Sequence, residues 1–230
     1  MKAYLSNEDK TVRMFHSDVL ESLSHVHPAV PHIIFIPVIV LTLLAGLSRG
    51  VGPLAALGLF AGGALLWTLA EYVIHRFTFH VPRDLEERTN EAVSRVPPGD
   101  AVLPHLAWSE KAYFLVHGVH HLYPNDSRRL VMPPAVSIPL AVVFYFLFGL
   151  LLGTPSALPF FAGFVAGYLA YDTTHFAVHH FRCRGRWSAH MKKVHMRHHY
   201  LNPDRNFGVS TPLWDLVLGT TGGAREPRST

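Results

Sequence analysis

Apolar residues in this chain gather in four long blocks set between polar stretches. The blocks cover about 30–47, 51–74, 133–152 and 157–171. A bilayer core takes about 20 apolar residues per helix. The first three blocks meet that length and the fourth is near its lower limit. Ser48-Arg49-Gly50 with Gly52-Pro53 turns the first pair, and Gly153-Thr154-Pro155 turns the second. Turns this short make neighbouring helices antiparallel. The polar segments 75–132 and 173–230 then share one side with the N-terminus.

Ahead of the blocks, Val12, Phe15, Val19, Leu23 and Val26 recur at helical spacing opposite Lys10, Arg13, Asp18 and Glu21. This predicts an amphipathic helix lying on the membrane face, or equally a short soluble helix packed on the domain. The first 28 residues lack the regions of a signal peptide. The charged run within 81–104, with Val96-Pro97-Pro98-Gly99-Asp100, reads as a loop. The predicted fold is all-α and integral to a membrane. It has four transmembrane helices as two hairpins, plus a cytoplasmic helical cap built from the histidine-rich polar segments. Residues 1–28 form the N-terminal segment, 29–222 the membrane domain and 223–230 a disordered tail.

Composition agrees with that class. Hydrophobic residues make up 49% of the chain and charged residues 16%, against roughly 25% charged in an average soluble domain. Of the 20 Lys and Arg residues, only Arg49 falls on the side of the two turns. The positive-inside rule therefore places the polar segments in the cytoplasm. The net charge of +4 reads as membrane topology, with no nucleic-acid partner. Cys183 is the single cysteine, which excludes an intramolecular disulfide and any cysteine-rich zinc or iron–sulfur site.

Histidine changes the picture. There are 17, and ten of them fall in four tight groups on the polar segments. His75 and His80 directly follow the second block. His117, His120 and His121 form a His-x-x-His-His group. His175 and His179 end the fourth block, with His180 beside them. His195, His198 and His199 form a second His-x-x-His-His group. Positions i, i+3 and i+4 share a helix face, so each such group projects three imidazoles together. His75 and His80, at i and i+5, lie further apart around a helix and are placed to reach different ions. About ten ligands suit two ions with five nitrogens each, and imidazole serves Zn, Cu, Fe and Ni. His16, His25, His27 and His32 read as surface or headgroup contacts, and His105 and His190 as structural or as partners of the ligand side chains. Two membrane-protein alternatives of other classes exist. A metal transporter would need polar residues at mid-depth in its spans, and a scaffold would not need ten aligned imidazoles.

The groups and their flanks resemble the fatty acid hydroxylase and sterol desaturase superfamily, and within it the fatty acid 2-hydroxylases. The similar stretches are His75-Arg-Phe-Thr-Phe-His80, His117 through Arg129-Leu-Val-Met-Pro-Pro134, Tyr171-Asp-Thr-Thr-His-Phe-Ala-Val-His179, His195-Met-Arg-His-His199 and Phe207 through Thr220. They span roughly 60–220, and the Arg129–Pro134 run is more specific than the histidines. The resemblance implies an O2-dependent hydroxylation at carbon 2 of a long acyl chain, often one carried on a sphingolipid. A carotenoid or sterol oxygenase of the same superfamily is the nearest alternative.

By the resemblance the metal ligands are His75, His80, His117, His120, His121, His175, His179, His195, His198 and His199. The catalytic candidates among them are His120, His121, His198 and His199. The ions are iron, with zinc able to occupy such sites in purified protein. Cleaving an unactivated C–H bond with O2 is cofactor chemistry, to which the protein adds ligands, orientation and exclusion of water. Asp126, Asp172 and Asp215 are candidate partners of ligand imidazoles, with capping favoured for Asp215. Tyr123, Tyr171, Tyr200 and Trp214 are candidates to line the substrate path. Two departures stand out. No His-Pro-Gly-Gly of a fused cytochrome b5 domain occurs, since Ala29-Val30 follow His27-Pro28. The stretch between His80 and His117 is also long. A separate electron carrier, a cytochrome b5 or a ferredoxin, is therefore expected to dock at Arg182, Arg184, Arg186, Lys192, Lys193 and Arg197.

Overall fold

The structure, a computed structural model, describes residues 4–222, and the tail expected at 223–230 lies outside them. All regular elements among the described residues are helical. The α-helices in chain order are α1 (Asp18–Ser24), α2 (Val30–Ser48), α3 (Pro53–Ile74), α4 (Arg83–Ser94), α5 (Trp108–Tyr113), α6 (Val119–Leu122), α7 (Pro134–Leu152), α8 (Thr154–His180), α9 (Arg186–Tyr200) and α10 (Leu213–Val217), with a 3-10 turn at Leu103–His105. A π-helical turn, His75–Phe79, extends α3, and another, Phe114–Gly118, joins α5 to α6.

Three of these helices are long and apolar enough to cross a membrane: Val30–Ser48, Pro53–Phe79 and Pro134–Leu152. Each begins with proline in its first turn, where the missing N–H costs no hydrogen bond. Their outward faces leave Ile33, Leu41, Leu54 and Leu150 bare. The fourth apolar block is the start of α8, which runs on to carry Asp172, His175, His179 and His180. Fifteen residues of α8 are buried against two of α7, so α8 is the centre and α2, α3 and α7 enclose it. The two sequence hairpins are therefore not the main packing units. α2 and α3 each pack mainly on α8 and touch each other little.

Glycine explains the closest of these contacts. A Cβ added at Gly63 would lie 2.0 Å from the Phe160 carbonyl oxygen, and one at Gly163 would lie 1.9 Å from that of Phe60. The α3 and α8 backbones meet directly there, as small residues permit in membrane helices. Aromatic rings fill the space towards the cap. Trp67 meets Phe164 and Tyr168 edge-on, with ring centroids 5.2 and 5.3 Å apart.

The cap has its own core of Met14, Val93, Val102, Leu103, Leu106, Phe114, Val119 and Leu122. Two sequence expectations change here. The N-terminal segment is helical only over Asp18–Ser24. Residues before it form no helix because other groups take up their backbone: the Glu21 carboxylate accepts from Met14 N and Phe15 N at 2.9 Å each, and Arg13 and Met14 carbonyls accept from Val102 and Leu103. The stretch 81–104 is not a plain loop. It folds as α4, supported by the i,i+4 pairs Arg88–Asp84 and Arg95–Glu91 and by burial of Thr89 and Val93.

The Arg129–Pro134 run joins these parts. Buried Arg129 pairs with Glu21 at 2.6 Å and donates to the Val12 carbonyl, tying the N-terminal segment down. Pro133 and Pro134 then start α7.

Candidate metal centre

The cap and the C-terminal ends of α3 and α8 bring all ten candidate histidines together in two sets of five. His75, His80, His117, His121 and His198 form the first set, and His120, His175, His179, His195 and His199 the second. Within each set the offered nitrogens all lie within 4.8 Å of one another. All ten are buried except His80, which is half-buried.

The helical period sorts them. Each i,i+4 pair stays together: His117 with His121, His175 with His179, His195 with His199. The i+3 member of each His-x-x-His-His group crosses over, so His120 joins the second set and His198 the first. The expectation that His75 and His80 reach different ions is not met. The π turn His75–Phe79 takes up one extra residue and returns the fifth position to the same side. The two ring centroids are 5.1 Å apart.

Nε2 atoms face each other throughout. The separations are 3.2 Å for His75–His117, 3.0 Å for His80–His198 and 2.9 Å for His117–His121. In the second set they are 2.9 Å for His120–His199 and His120–His175, and 3.0 Å for His179–His195 and His195–His199. Metal–nitrogen bonds are about 2.1 Å long, so adjacent nitrogens at right angles on one ion lie about 3.0 Å apart. Neutral imidazoles cannot form so many mutual hydrogen bonds, because each offers a single N–H. In the first set His75 Nδ1 donates to the Phe207 carbonyl at 2.5 Å, and His198 Nδ1 donates to the Arg205 carbonyl at 2.8 Å. Their Nε2 atoms are then bare lone pairs aimed inward. The donor set fits two cations of five or six coordination.

Burial and the neighbouring imidazoles hold His117, His120, His195, His198 and His199 well below the ordinary histidine range, and His121 is pushed down to about 3. The unfolded chain, with imidazoles near 6.5, takes up protons that the folded chain refuses. Stability from this source is present above about 6.5 and is lost as pH falls from there towards the folded values. Chelator-stripped protein in detergent should therefore melt at lower temperature at about pH 5 than at about pH 7.5. A thermal scan by intrinsic fluorescence checks this, and an unchanged melting temperature contradicts it.

The remaining candidates divide. His180 is half-buried, stacks on Phe176 and belongs to neither set. His105 pairs with Asp100 at 3.0 Å and His190 is exposed. His16, His25, His27 and His32 also stand outside both sets. Asp126, Asp172 and Asp215 are all buried, and none hydrogen-bonds a ligand imidazole directly. Asp126 accepts from Thr11 Oγ1 and Arg128 N, and Asp215 accepts from a loop backbone. Tyr171 stacks on His175 and touches Trp67. Tyr123, Tyr200 and Trp214 lie elsewhere: Tyr123 on the cap core, Tyr200 on Asn7, Trp214 on Thr68.

An apolar cavity opens beside this end of the helices. Phe35, Trp67, Met132, Ala141, Phe144 and Tyr168 line it, together with Ile74, the residue before His75. Sequence reasoning missed Glu71, whose carboxylate accepts from Val209 N and Ser210 N at 2.6 and 2.8 Å and from Ser210 Oγ. Its signal was available, as the one acidic residue inside the second apolar block. A carboxylate in such a block needs partners.

Comparison with known proteins gives one answer. The fatty acid hydroxylase family model matches residues 60–220. The dihydroceramide fatty acyl 2-hydroxylase FAH1 of Arabidopsis thaliana is 34% identical, covering 94% of this chain and 82% of the relative. The ceramide very long chain fatty acid hydroxylase SCS7 of Saccharomyces cerevisiae is 36% identical, over 91% of this chain and 50% of its own. A solved structure of full-length scs7p, with only its hydroxylase domain visible, superposes with a TM-score of 0.76 at 35% identity, covering 94% of this chain and 74% of that one. The chain belongs to the fatty acid hydroxylase family.

Proposed function

We propose that this protein hydroxylates the acyl chain of a membrane lipid at carbon 2, with two metal ions held by its ten clustered histidines. The observation that carries the reading is the presence, at one end of the same helices, of two five-imidazole sets and an apolar cavity whose lining includes Ile74, the residue before His75. The relatives named as 2-hydroxylases of fatty acyl and dihydroceramide substrates support the position of attack and the sphingolipid class. Two iron ions would supply reduction of O2 and cleavage of the C–H bond.

This chain's own residues do the rest. The cavity walls hold the acyl chain by burial of its methylenes, worth about 0.8 kcal/mol each. Its carboxyl end, and so carbon 2, then stands at the imidazoles. Phe207 lies 5.5–5.8 Å from the rings of His75, His80 and His198 and keeps water from that side. Four spans, with α8 as the fourth, put the histidines at the cytoplasmic membrane surface, supported by the lone Arg49 on the other side. Purified protein with a reductase system, O2 and a ceramide or fatty acyl substrate should yield a 2-hydroxy product matching an authentic standard. Oxidation at a sterol or carotenoid ring with no acyl product would replace this reading by its nearest alternative.

Turnover needs two external electrons, which a separate protein carrier delivers. Exposed Arg184, Arg186 and Lys193 stand on or just before α9, which carries His195, His198 and His199. Replacing these three by glutamine should slow turnover with an acidic protein donor at low salt, where steering is unscreened. Turnover with a small neutral reductant should stay near its original rate. Equal loss in both assays would point to binding of anionic headgroups and sink the docking role.

A further inference from the structure

The first set of imidazoles is anchored differently from the second. Four consecutive backbone N–H groups, of Phe207, Gly208, Val209 and Ser210, are shared by two buried carboxylates. Asp215 accepts from Phe207 N through Oδ1 at 2.9 Å and from Gly208 N through Oδ2 at 2.7 Å. Glu71 accepts from Val209 N and Ser210 N through one oxygen and from Ser210 Oγ through the other. Thr220 Oγ1 donates to Asp215 Oδ1 at 2.7 Å and meets Tyr72 Oη at 2.9 Å. The loop is tight: a Cβ at Gly208 would fall 2.1 Å from the Thr211 carbonyl oxygen. Asn206 sits at φ 62°, held in that left-handed turn by its bonds to Gly222 and Thr220.

The carbonyls of the same loop receive His75 and His198. The peptide between Phe207 and Gly208 is held at both ends, by Asp215 on its N–H and by His75 Nδ1 on its C=O. Carboxylate, amide and imidazole thus form one hydrogen-bonded line, in which each member polarises the next. The Arg205–Asn206 peptide, two before it, does the same for His198, with the Thr220 carbonyl in place of the acid, and Asp215 in turn accepts from Thr220 N and Oγ1. In the second set, Nδ1 of His120, His179, His195 and His199 is buried without a protein partner.

We infer that Asp215 and Glu71 are positioning residues for the first set alone, fixing His75 and His198 through the carbonyls of Phe207 and Arg205. The inference rests on the reading that each set holds one ion. Partners beyond the ligand shell typically change metal affinity 10–100-fold.

The test is a Zn2+ titration of the full chain in detergent against a competing chromophoric chelator. Wild type should bind two ions; binding of none or one would overturn the two-ion reading itself. Given two, Asp215→Asn and Glu71→Gln should weaken one ion about tenfold or more and leave the other within about twofold. Added to His195→Ala, Asp215→Asn should weaken the ion that remains; added to His198→Ala it should change nothing. Equal weakening of both ions, or of neither, overturns the inference. Ser210→Ala and Thr220→Val each remove one hydroxyl and carry the same selectivity test should the carboxylate variants fail to accumulate.

Discussion

Alanine at His198 is expected to abolish turnover, by on the order of a hundredfold or more, while the chain stays in the membrane at normal abundance. His198 is the crossing member of its motif: it sits on α9 beside His195 and His199 but belongs with His75, His80, His117 and His121. Its Nε2 lies 3.0 Å from that of His80 and its Nδ1 is fixed by the Arg205 carbonyl. No neighbour can replace it, because the i and i+4 positions of α9 face the other set. His120→Ala should behave alike for the second set, where its Nε2 meets those of both His175 and His199 at 2.9 Å. Metal content and product formation measured on the same membrane preparations check this. Full turnover by either variant would remove that histidine from the ligand set.

Filling the apolar cavity should have the next largest effect, and of a different kind. Ala141 is half-buried on α7 and lines the cavity with Phe144, Phe164 and Tyr168. Ala141→Trp places an indole where acyl methylenes would lie and touches no member of either histidine set. Long-chain substrates should lose on the order of tenfold to a hundredfold in kcat/KM, short ones much less, and bound metal should be unchanged. Leu150→Trp, on a bare outward face, is the control. A uniform loss across acyl lengths would mean that the chain binds elsewhere.

The sequence made the helices and the ten histidines legible for separate physical reasons. Long apolar blocks have few folds open to them in a bilayer, and the i, i+3, i+4 spacing of His-x-x-His-His marks one helix face. What it hid was geometry that depends on a partner. The grouping of His75 with His80 needs a π turn, which no periodicity announces. The crossing of His120 and His198 appears only when α6 and α9 face each other. The non-helical run before α1 follows from Glu21 and Arg129, 108 positions apart, so its helical spacing misled. Asp215 was read as a cap, and it does bind loop amides. Its reach to His75 lies through one peptide bond that sequence does not display.

Enclosure of α8 by three earlier helices bears on how the protein is made. In the four-span reading, α2, α3 and α7 can each enter the bilayer on their own apolarity, whereas α8 carries Asp172 and histidines at one end and three glycines or prolines on its packed face. An acidic residue in a helix that inserts alone opposes insertion. Because α8 is synthesised last of the four, the groove that receives it already exists when it leaves the ribosome. Damage to the inner faces of α3 or α7 would then surface in cells as α8 left outside the bilayer and the chain degraded, before any slowing of the enzyme could be measured.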